Sequence, residues 1–562
     1  MQQLRRFRRV ALLTLSLLSA CAAADPSVGD AASRRDNVTG VFGSYLAGRV
    51  ALSDGDANAA ATAFLKALAA RPKDAELQRQ AFFASLLAGR PEAAQLARQL
   101  PDDQFAQLSL GNEAAKAGNW KEAERWFRNL PHQGVTQLLS PLLIAWAQQG
   151  ANHTDAALDT LRPLIEGQRF RGLFALHAGM ISDLANRSAD AARFYRIAET
   201  EMPDTNLRLA QILANWHSRA GQPAAAQHSL GVLVAAAPDM GIALPALMAD
   251  TGRRPFARPL DGMAEAYAAL AAALQAQQAS DYSTAMLRLA LGLRPEFTAA
   301  RVMQADLLAS RKHYAAAMEL LAGTPANDPI APVIRLRRVS ILEKMGRTED
   351  AGQELEKLAR DYPDSPLPDM ALGDALRIKQ QFGAAISAYD RAEARIREPA
   401  RSDWLLYYSR GIAYERTGNW PRAEADLRHA LQLSPDQPFV LNYLGYSLAD
   451  MNTHLTEARG MIQRAAEQRP NDGAIADSLG WVMYRQGQIT DAVQTLERAV
   501  ELDSEDSTIN SHLGDAYWAA GRRVEAQYQW RRALTLNPPA DDVAKLEAKL
   551  NPTHGGAVIS GQ

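Results

Sequence analysis

The sequence predicts an all-α protein in which antiparallel helix pairs stack into an α-α superhelix with two arms. The chain has 562 residues, which exceeds the ~250–300 residues at which single hydrophobic cores stop growing. Its apolar residues are mostly Ala and Leu, with few β-branched runs, and this composition favours helices over strands. Pro435, Pro470 and Pro538, with Ser504 between the last two, recur at intervals of 34–35 residues. A period of this length is typical of a repeated two-helix unit.

Small residues at fixed distances from these markers define the repeat unit. In the regular block each unit has a Gly on its first helix and an Ala on its second, where the two backbones come closest and only a small side chain fits. Large side chains fill the neighbouring positions, and Pro ends the second helix. The Gly and Ala positions of the four units are Gly411, Ala423, Gly445, Ala458, Gly480, Ala492, Gly514 and Ala526, and Trp530 is one of the large neighbours. The pattern is that of the tetratricopeptide repeat (TPR), whose units bury their apolar faces only when several of them stack.

Weaker copies of this pattern extend the repeats towards the N-terminus. Pro and Gly residues cluster in residues 241–262 and interrupt the rhythm there, so we expect an irregular joint between an N-terminal and a C-terminal arm. The predicted segments are repeat-like helices over 41–240, the joint over 241–262, degenerate repeats over 263–400, regular repeats over 401–550 and a flexible tail over 551–562.

The N-terminus has the features of an export signal. Residues 1–20 combine four Arg with an apolar run that is far shorter than the ~20 residues of a membrane-spanning helix. Cys21, the only cysteine, follows directly, and this arrangement resembles the lipobox of bacterial lipoproteins. The resemblance implies an acylated Cys21, and Ala22 after it favours the outer membrane of a Gram-negative bacterium. Residues 21–40 are expected to form a flexible tether. The alternative is an ordinary signal peptide in which Cys21 is one more apolar residue.

Composition and motifs argue against catalysis and against several classes of ligand. The formal net charge is −2, so the strong basic field of a nucleic-acid-binding protein is lacking. A single cysteine excludes an internal disulfide framework and Cys-based metal sites. The sequence has no phosphate-binding Gly-rich loop, no His-Glu-x-x-His zinc motif and no nucleophile elbow. We therefore predict a protein without enzymatic activity, cofactor, metal or small-molecule substrate, whose partners are other proteins.

The candidate functional surface is the groove that the first helices of the stacked units line. Helical phase in the C-terminal units predicts which side chains point into it, and aromatic rings mixed with single charges suit an extended peptide or a partner's helix. The candidates are Tyr408, Glu415, Arg416, Asn442, Tyr446, Asp477, Trp481, Tyr484, Arg485, Ser511, Asp515 and Trp518. For Trp481 and Trp518, packing between neighbouring repeats is an equally good interpretation, whereas Trp530 is expected to pack in the core.

Three runs in the C-terminal units, Leu441–Ser447, Asp477–Val482 and His512–Trp518, resemble a family of proteobacterial tetratricopeptide lipoproteins. The resemblance implies anchoring in the outer membrane, facing the periplasm. It also implies an adaptor that binds a carboxyl-terminal processing protease and the peptidoglycan hydrolases which that protease degrades. The residues themselves identify the scaffold rather than the partner. A structural assembly factor for outer-membrane protein insertion or polysaccharide export therefore stays open as the alternative function.

Overall fold

The structure is a computed structural model that describes residues 29–167, 169–202 and 206–551, with side chains from residue 40 onward. Over these ranges the chain forms thirty α-helices and three short 3-10 helices, and no β-strand is present in them. The predicted all-α class is thereby confirmed. The Ala- and Leu-rich stretches fold as helices because these side chains lose little conformational freedom in a helix.

Contacts between Cα atoms divide the helices between two compact units. The first unit runs to Ala198 and also includes Arg258–His313, so it does not follow the predicted boundary at 241–262. Its helices are α1 (Gly29–Ser53), α2 (Ala57–Ala70), α3 (Ala75–Ala88), α4 (Glu92–Ala97), α5 (Gln104–Lys116), α6 (Trp120–Arg128), α7 (Gly134–Gly150), α8 (Thr154–Glu166), α9 (Arg171–Leu184), α10 (Ser188–Glu201), α14 (Pro259–Ala276), α15 (Ser280–Leu293) and α16 (Thr298–Ser310).

The second unit consists of Glu199–Ala257 and the chain from Tyr314 onward. Its helices are α11 (Leu207–Arg219), α12 (Pro223–Ala236), α13 (Leu244–Ala249), α17 (Tyr314–Ala322), α18 (Ala331–Lys344), α19 (Thr348–Asp361), α20 (Leu367–Ile378), α21 (Phe382–Glu393), α22 (Trp404–Arg416), α23 (Trp420–Leu433), α24 (Pro438–Asp450), α25 (Leu455–Gln468), α26 (Gly473–Arg485), α27 (Ile489–Leu502), α28 (Ser507–Ala519), α29 (Arg523–Thr535) and α30 (Ala540–Leu550).

In the first unit, Arg258–His313 returns to pack against helices near the N-terminus. Helix α14 lies against α7, and α15 lies against α3 and α5. Gly262 permits the close approach of α14, because a Cβ atom there would stand 2.1 Å from the ring of Trp146. The buried hydroxyl of Tyr267 donates a hydrogen bond to Asn112 Oδ1 at 3.0 Å. This return explains why the boundary between the units differs from the predicted one.

The predicted joint is a packed segment of short helices. The 3-10 helices Pro238–Ala243 and Asp250–Gly252 flank α13, and all three pack against α11 or α12 within the second unit. The side chain of Asn215 on α11 donates a hydrogen bond to the carbonyl of Thr251 at 2.9 Å. Regular helix resumes at α14. The interruption by Pro and Gly therefore shortens the helices, and Asn215 pairs one of the backbone carbonyls of the segment.

In the regular block, α22, α24, α26 and α28 are the first helices of successive units, and α23, α25, α27 and α29 are the second helices. The first helix meets the second at its glycine, where a Cβ atom would stand 2.5–3.0 Å from the facing side chain at Gly411, Gly445, Gly480 and Gly514. The alanines opposite are fully buried, namely Ala423, Ala458, Ala492 and Ala526. Trp530 is 3% exposed and packs in the core of the last unit. The helices can approach this closely only because these positions have small side chains.

The N-terminal region differs in part from the expectation. Helix α1 begins at Gly29 and so covers the second half of the stretch 21–40, for which the sequence analysis expected a flexible tether. Between Gly29 and Gly40 the sequence has neither Gly nor Pro to interrupt a helix. The signal segment over 1–20, Cys21 and all but the first residue of the predicted tail over 551–562 lie outside the described residues. No helix within the described ranges is long and apolar enough to cross a membrane.

Candidate partner-binding surface

The candidate surface lies on the first helices of the last four units. Helix α24 packs directly on α26, and α26 packs on α28, so side chains at corresponding positions form one continuous face. We call this the inner face and define it by the side of α22, α24, α26 and α28 that presents the predicted groove residues. Six aromatic side chains on these helices are half-buried: Trp404, Tyr408, Tyr443, Tyr446, Tyr484 and Trp518. A half-buried ring is fixed by packing on one side and offers apolar area to a partner on the other.

Three of these rings meet where α22 adjoins α24. The ring centroid of Tyr408 lies 5.9 Å from that of Trp404 and 5.9 Å from that of Tyr443. The hydroxyl of Tyr443 donates a hydrogen bond to Glu415 Oε2 at 3.0 Å. Burial, and then the charge of Glu415, raises the pKa of the Tyr443 phenol. Arg416 is exposed beside Glu415, so this end presents aromatic rings together with one accessible cation.

The middle of the inner face is filled by a stack centred on Trp481. The Trp481 ring lies 4.0 Å from that of His512 and 5.0 Å from that of Tyr484, and it is nearly parallel to both. His512 Nδ1 pairs with Asp477 Oδ2 at 2.9 Å. Trp481 is 7% exposed and Asp477 is 5% exposed. Both side chains pack between α26 and α28, because His512 occupies the space beside them. For Trp481 this fits the packing interpretation, which the sequence analysis left open beside the groove.

Tyr446 and Tyr484 border this stack and remain half-buried. The ring centroid of Tyr446 lies 6.2 Å from that of His512. Burial, and then nearby carboxylates, raises the pKa values of both phenols. A phenol that keeps its proton at physiological pH can donate a hydrogen bond to a partner. These two tyrosines therefore have the properties that the sequence analysis expected of groove residues.

The α28 end of the inner face combines Asp515 and Trp518. Asp515 accepts hydrogen bonds from Trp530 Nε1 at 2.9 Å and from Lys549 Nζ at 2.7 Å. The ring of Trp518 lies 5.3 Å from that of Trp530, and the guanidinium of Arg523 stands 3.7 Å from its centroid. Trp518 is thus anchored by Trp530 and Arg523, while part of its surface stays accessible. Its contacts with Trp530 and Arg523 fit the packing interpretation of Trp518, and its remaining accessible surface fits the groove interpretation.

The remaining predicted residues are the polar members of the face. Arg485 donates a hydrogen bond to the carbonyl of Asp450 at 3.1 Å, and its guanidinium lies 5.8 Å from the Trp481 ring. Asn442 is half-buried, and its Oδ1 has no hydrogen-bond partner among the residues that the structure describes. Ser511 is also half-buried. Asn442 therefore has a buried acceptor that is unused in the described part of the chain.

The sequence analysis missed two inner-face residues that share one register position. Tyr443 and His512 stand two residues before the glycine of their units, and Ser478 occupies the same position in the unit between them. This position faces the preceding first helix, as the contact of Tyr443 with Tyr408 and that of His512 with Trp481 show. Two of the three residues at this register position are aromatic, and this pattern is the signal in the sequence that could have identified them.

Buried titratable groups away from the inner face have structural partners. His177 is fully buried and accepts a hydrogen bond from Trp146 Nε1 at 3.0 Å. Burial lowers the pKa of His177 to about 3, so its ring is neutral at physiological pH. Arg410 makes two hydrogen bonds to Asp426, at 2.7 and 2.9 Å. In the described part of the chain, no group of three or more His, Cys, Asp or Glu side chains could hold a metal ion.

Comparison with protein families identifies the repeats. Residues 336–400 and 404–437 match models of the tetratricopeptide repeat, and residues 480–521 match a model of the TPR repeat. The second of these stretches coincides with α22 and α23. These three stretches of the chain therefore contain tetratricopeptide repeats, and the helix pair α22–α23 is one such repeat unit.

Two curated proteins share part of this sequence. The TPR repeat-containing protein PA4667 of Pseudomonas aeruginosa is 36% identical over 169 residues, which are 30% of this chain and 28% of that protein. Bacteriophage adsorption protein A of Escherichia coli is 34% identical over 79 residues, which are 14% of this chain and 8% of that protein. The alignment thus spans less than a third of either relative.

Solved structures of helical-repeat proteins also resemble the chain. The Cut9–Hcn1 hetero-tetramer of the APC/C aligns with 91% of this chain and 95% of its own, at 16% identity and a TM-score of 0.39. YrrB, a TPR protein with an unusual peptide-binding site, aligns with 34% of this chain and 97% of its own, at 19% identity and a TM-score of 0.28.

Proposed function

We propose that this protein is a non-catalytic scaffold that binds protein partners along the inner face. Tetratricopeptide solenoids use the surface formed by successive repeats to hold other proteins. The observation that supports this use is the row of half-buried aromatic residues from Trp404 on α22 to Trp518 on α28. Trp, Tyr and Arg are over-represented among the residues that dominate binding energy at interfaces. Arg416 supplies an exposed cation at one end of this row.

We further propose that the scaffold is a lipid-anchored adaptor. Cys21 directly after an apolar export signal supports the anchor, and the resemblance of the C-terminal runs to proteobacterial tetratricopeptide lipoproteins supports the adaptor role. In this role the acylated protein faces the periplasm from the outer membrane and brings cell-wall hydrolases to a carboxyl-terminal processing protease. The identity with the Pseudomonas aeruginosa protein covers 30% of this chain, so it supports shared repeats rather than a shared partner.

Site-specific photo-crosslinking in cells tests both proposals. A photoreactive phenylalanine analogue replaces Tyr446 or Tyr484, which are half-buried on first helices. Tyr528 is the matched control, because it is a tyrosine of the same block that is 63% exposed on the second helix α29. We expect crosslinked partners at the two inner-face positions and none at Tyr528.

The identity and position of the captured protein decide between the functions. A carboxyl-terminal processing protease or a peptidoglycan hydrolase at Tyr446 or Tyr484 supports the adaptor. Components of outer-membrane protein insertion or of polysaccharide export at these positions would instead assign the assembly role. Crosslinks at Tyr528 alone would refute the inner face as the binding surface.

A further inference from the structure

Helix α1 carries a row of exposed apolar side chains, which we call the α1 stripe. Its members are spaced by four residues and therefore lie on one side of the helix. They are Phe42 (62% exposed), Leu46 (46%) and Val50 (60%). Gly48 on α1 meets Phe64 on α2, where an added Cβ atom would stand 2.7 Å from the ring. Gly48 thus has the place in the first unit that Gly445 and its equivalents have in the regular block.

In the regular block the corresponding side of each first helix is covered by the preceding unit. Two residues before the glycine, Tyr443 and His512 contact the first helix of the unit before them. Residues five before and two after the glycine share this side of the helix, because they are three and four positions away. The residues five before the glycine are at most 2% exposed, namely Leu406, Val440, Ile475 and Ile509.

Helix α1 lacks this cover. At the same three positions it has Gly43, Leu46 and Val50, and all three are exposed. Within the described residues no earlier helix precedes α1. Repeat proteins stay soluble when the outer face of a terminal unit is polar, so an apolar face at this place indicates that another surface covers it.

The α1 stripe is too small to hold a second copy of the chain by itself. The exposed parts of three such side chains amount to roughly 300 Å². Two copies joined through them would bury ~600 Å², about half of the ~1,200 Å² of the smallest stable interfaces. A surface to which the chain is already tethered needs less area, because the tether raises the effective concentration to the millimolar range.

The proposed acyl chains on Cys21 tether α1 to a lipid bilayer. Gly29 follows Cys21 by eight residues, so the two lie at most ~28 Å apart. From Gly29 to Val50 the helix is ~32 Å long. A helix that starts this close to the membrane and lies along it brings the whole α1 stripe to the lipid.

Exposed cations flank the α1 stripe. Arg49 lies on α1 itself, and Arg71 at the end of α2 lines one cavity together with Phe42. The exposed carboxylates of Asp54 and Asp56 lie beyond the end of α1. Helices that lie in a membrane interface combine an apolar side with Lys and Arg, which attract anionic headgroups.

We propose that the α1 stripe lies in the headgroup region of an anionic lipid bilayer and holds the first unit along the membrane. The proposal rests on the proposed lipid anchor at Cys21. The acyl chains supply the attachment, and the apolar contact of α1 fixes how the helix lies on the surface.

A fluorescent label on α1 tests this contact in the mature acylated protein, reconstituted in vesicles of equal parts phosphatidylglycerol and phosphatidylcholine. Acylation blocks the Cys21 thiol, so Leu46→Cys supplies the reactive thiol for an environment-sensitive fluorophore. Val50→Cys is a second probe, and Ala156→Cys is the matched control at an exposed position of α8 in the same compact unit. Interfacial helices lie ~5–10 Å deep. We expect blue-shifted emission and quenching by lipids brominated near the headgroups at both stripe positions, and neither effect at the control.

Stripe labels that behave like the control would overturn the proposal, and mass spectrometry of Cys21 shows which idea fails. An acylated protein without the shift refutes the membrane contact and retains the anchor. If Cys21 is not acylated, the anchor is refuted and the probes are placed in Cys21→Ser. Shift and quenching there would retain the membrane contact, and their absence would refute it as well. A shift without quenching in a dimeric protein would mean that a second copy covers the stripe, and it would refute the membrane contact.

Discussion

Replacing Trp481 by alanine tests whether the stack between α26 and α28 holds the C-terminal units together. The ring is 7% exposed and lies between His512 and Tyr484. A buried tryptophan removes ~150–250 Å² from water, which at ~25 cal/mol per Å² gives an upper estimate of ~4–6 kcal/mol. Because alanine keeps part of this contact, we expect the free energy of unfolding to fall by ~3–5 kcal/mol.

The loss should appear first in the last two units. The stability of a solenoid is approximately a sum of unit and interface contributions, so the weakened junction is expected to let α26–α30 open before the preceding helices. Hydrogen exchange localises the opening, and circular dichroism should show a melting temperature lower by roughly 12–40 °C for this segment of about 80 residues. Trp518→Ala is the matched control. Its half-buried ring should cost ~1–2 kcal/mol.

The reverse order of effects would refute this reasoning. If Trp481→Ala unfolds like the wild type and Trp518→Ala is strongly destabilised, then Trp481 is a groove residue and Trp518 is the packing residue. Partner affinity does not decide the matter, because loosening α28 also distorts the inner face. Stability has to be measured on the free protein.

Two further predictions concern the N-terminus and the buried ion pair. Cys21→Ala is expected to abolish incorporation of labelled fatty acid and to release the mature protein from membranes, and labelling of the variant or a fully soluble wild type would contradict the anchor. Burial lowers the pKa of His512, but the charge and hydrogen bond of Asp477 outweigh it and hold that pKa above its usual value. The charged imidazole therefore stabilises the fold fully below pH ~6.5 and loses this contribution as the pH rises through the raised pKa. The melting temperature should fall more steeply above pH ~6.5 in the wild type than in His512→Gln, and parallel curves would contradict this.

The repeat architecture could be predicted because the contacts that define it are local. Gly480 meets Leu496 within the same unit, with 2.6 Å from an added Cβ to the facing side chain. Such contacts require small residues at a fixed spacing, and the spacing is visible in the sequence. The periodic apolar positions then specify which faces of neighbouring helices pack.

The return of Arg258–His313 onto the N-terminal helices could not be predicted in this way. The hydrogen bond between Tyr267 and Asn112 joins residues 155 positions apart, and Gly262 accommodates Trp146 in the same region. Every repeat-like unit presents a similar apolar stripe, so the period does not show which distant stripes meet.

Helical phase predicted which residues lie on the inner face but not how deeply they are buried. Tyr446 and Trp481 occupy the same register position in successive units, yet Tyr446 is half-buried and Trp481 is 7% exposed. The neighbouring first helix accounts for the difference. Ser478 on α26 is small, whereas His512 at the equivalent position on α28 stacks on Trp481. The burial of the residue after each glycine is thus decided by the residue that stands two positions before the glycine of the following unit.

This dependence has a consequence for recognition along the inner face. The glycines and alanines where the two helices of a unit meet leave no room for other side chains, so they cannot encode a partner. Variation is possible at the position after each glycine and at the position two residues before the next one, and these two act as a pair. A ring is available to a partner where its pair residue is small, as with Tyr446 and Ser478, and is withdrawn where that residue is large, as with Trp481 and His512. If partners bind the inner face as proposed, we expect specificity to depend on pairs of residues from adjacent units rather than on single side chains.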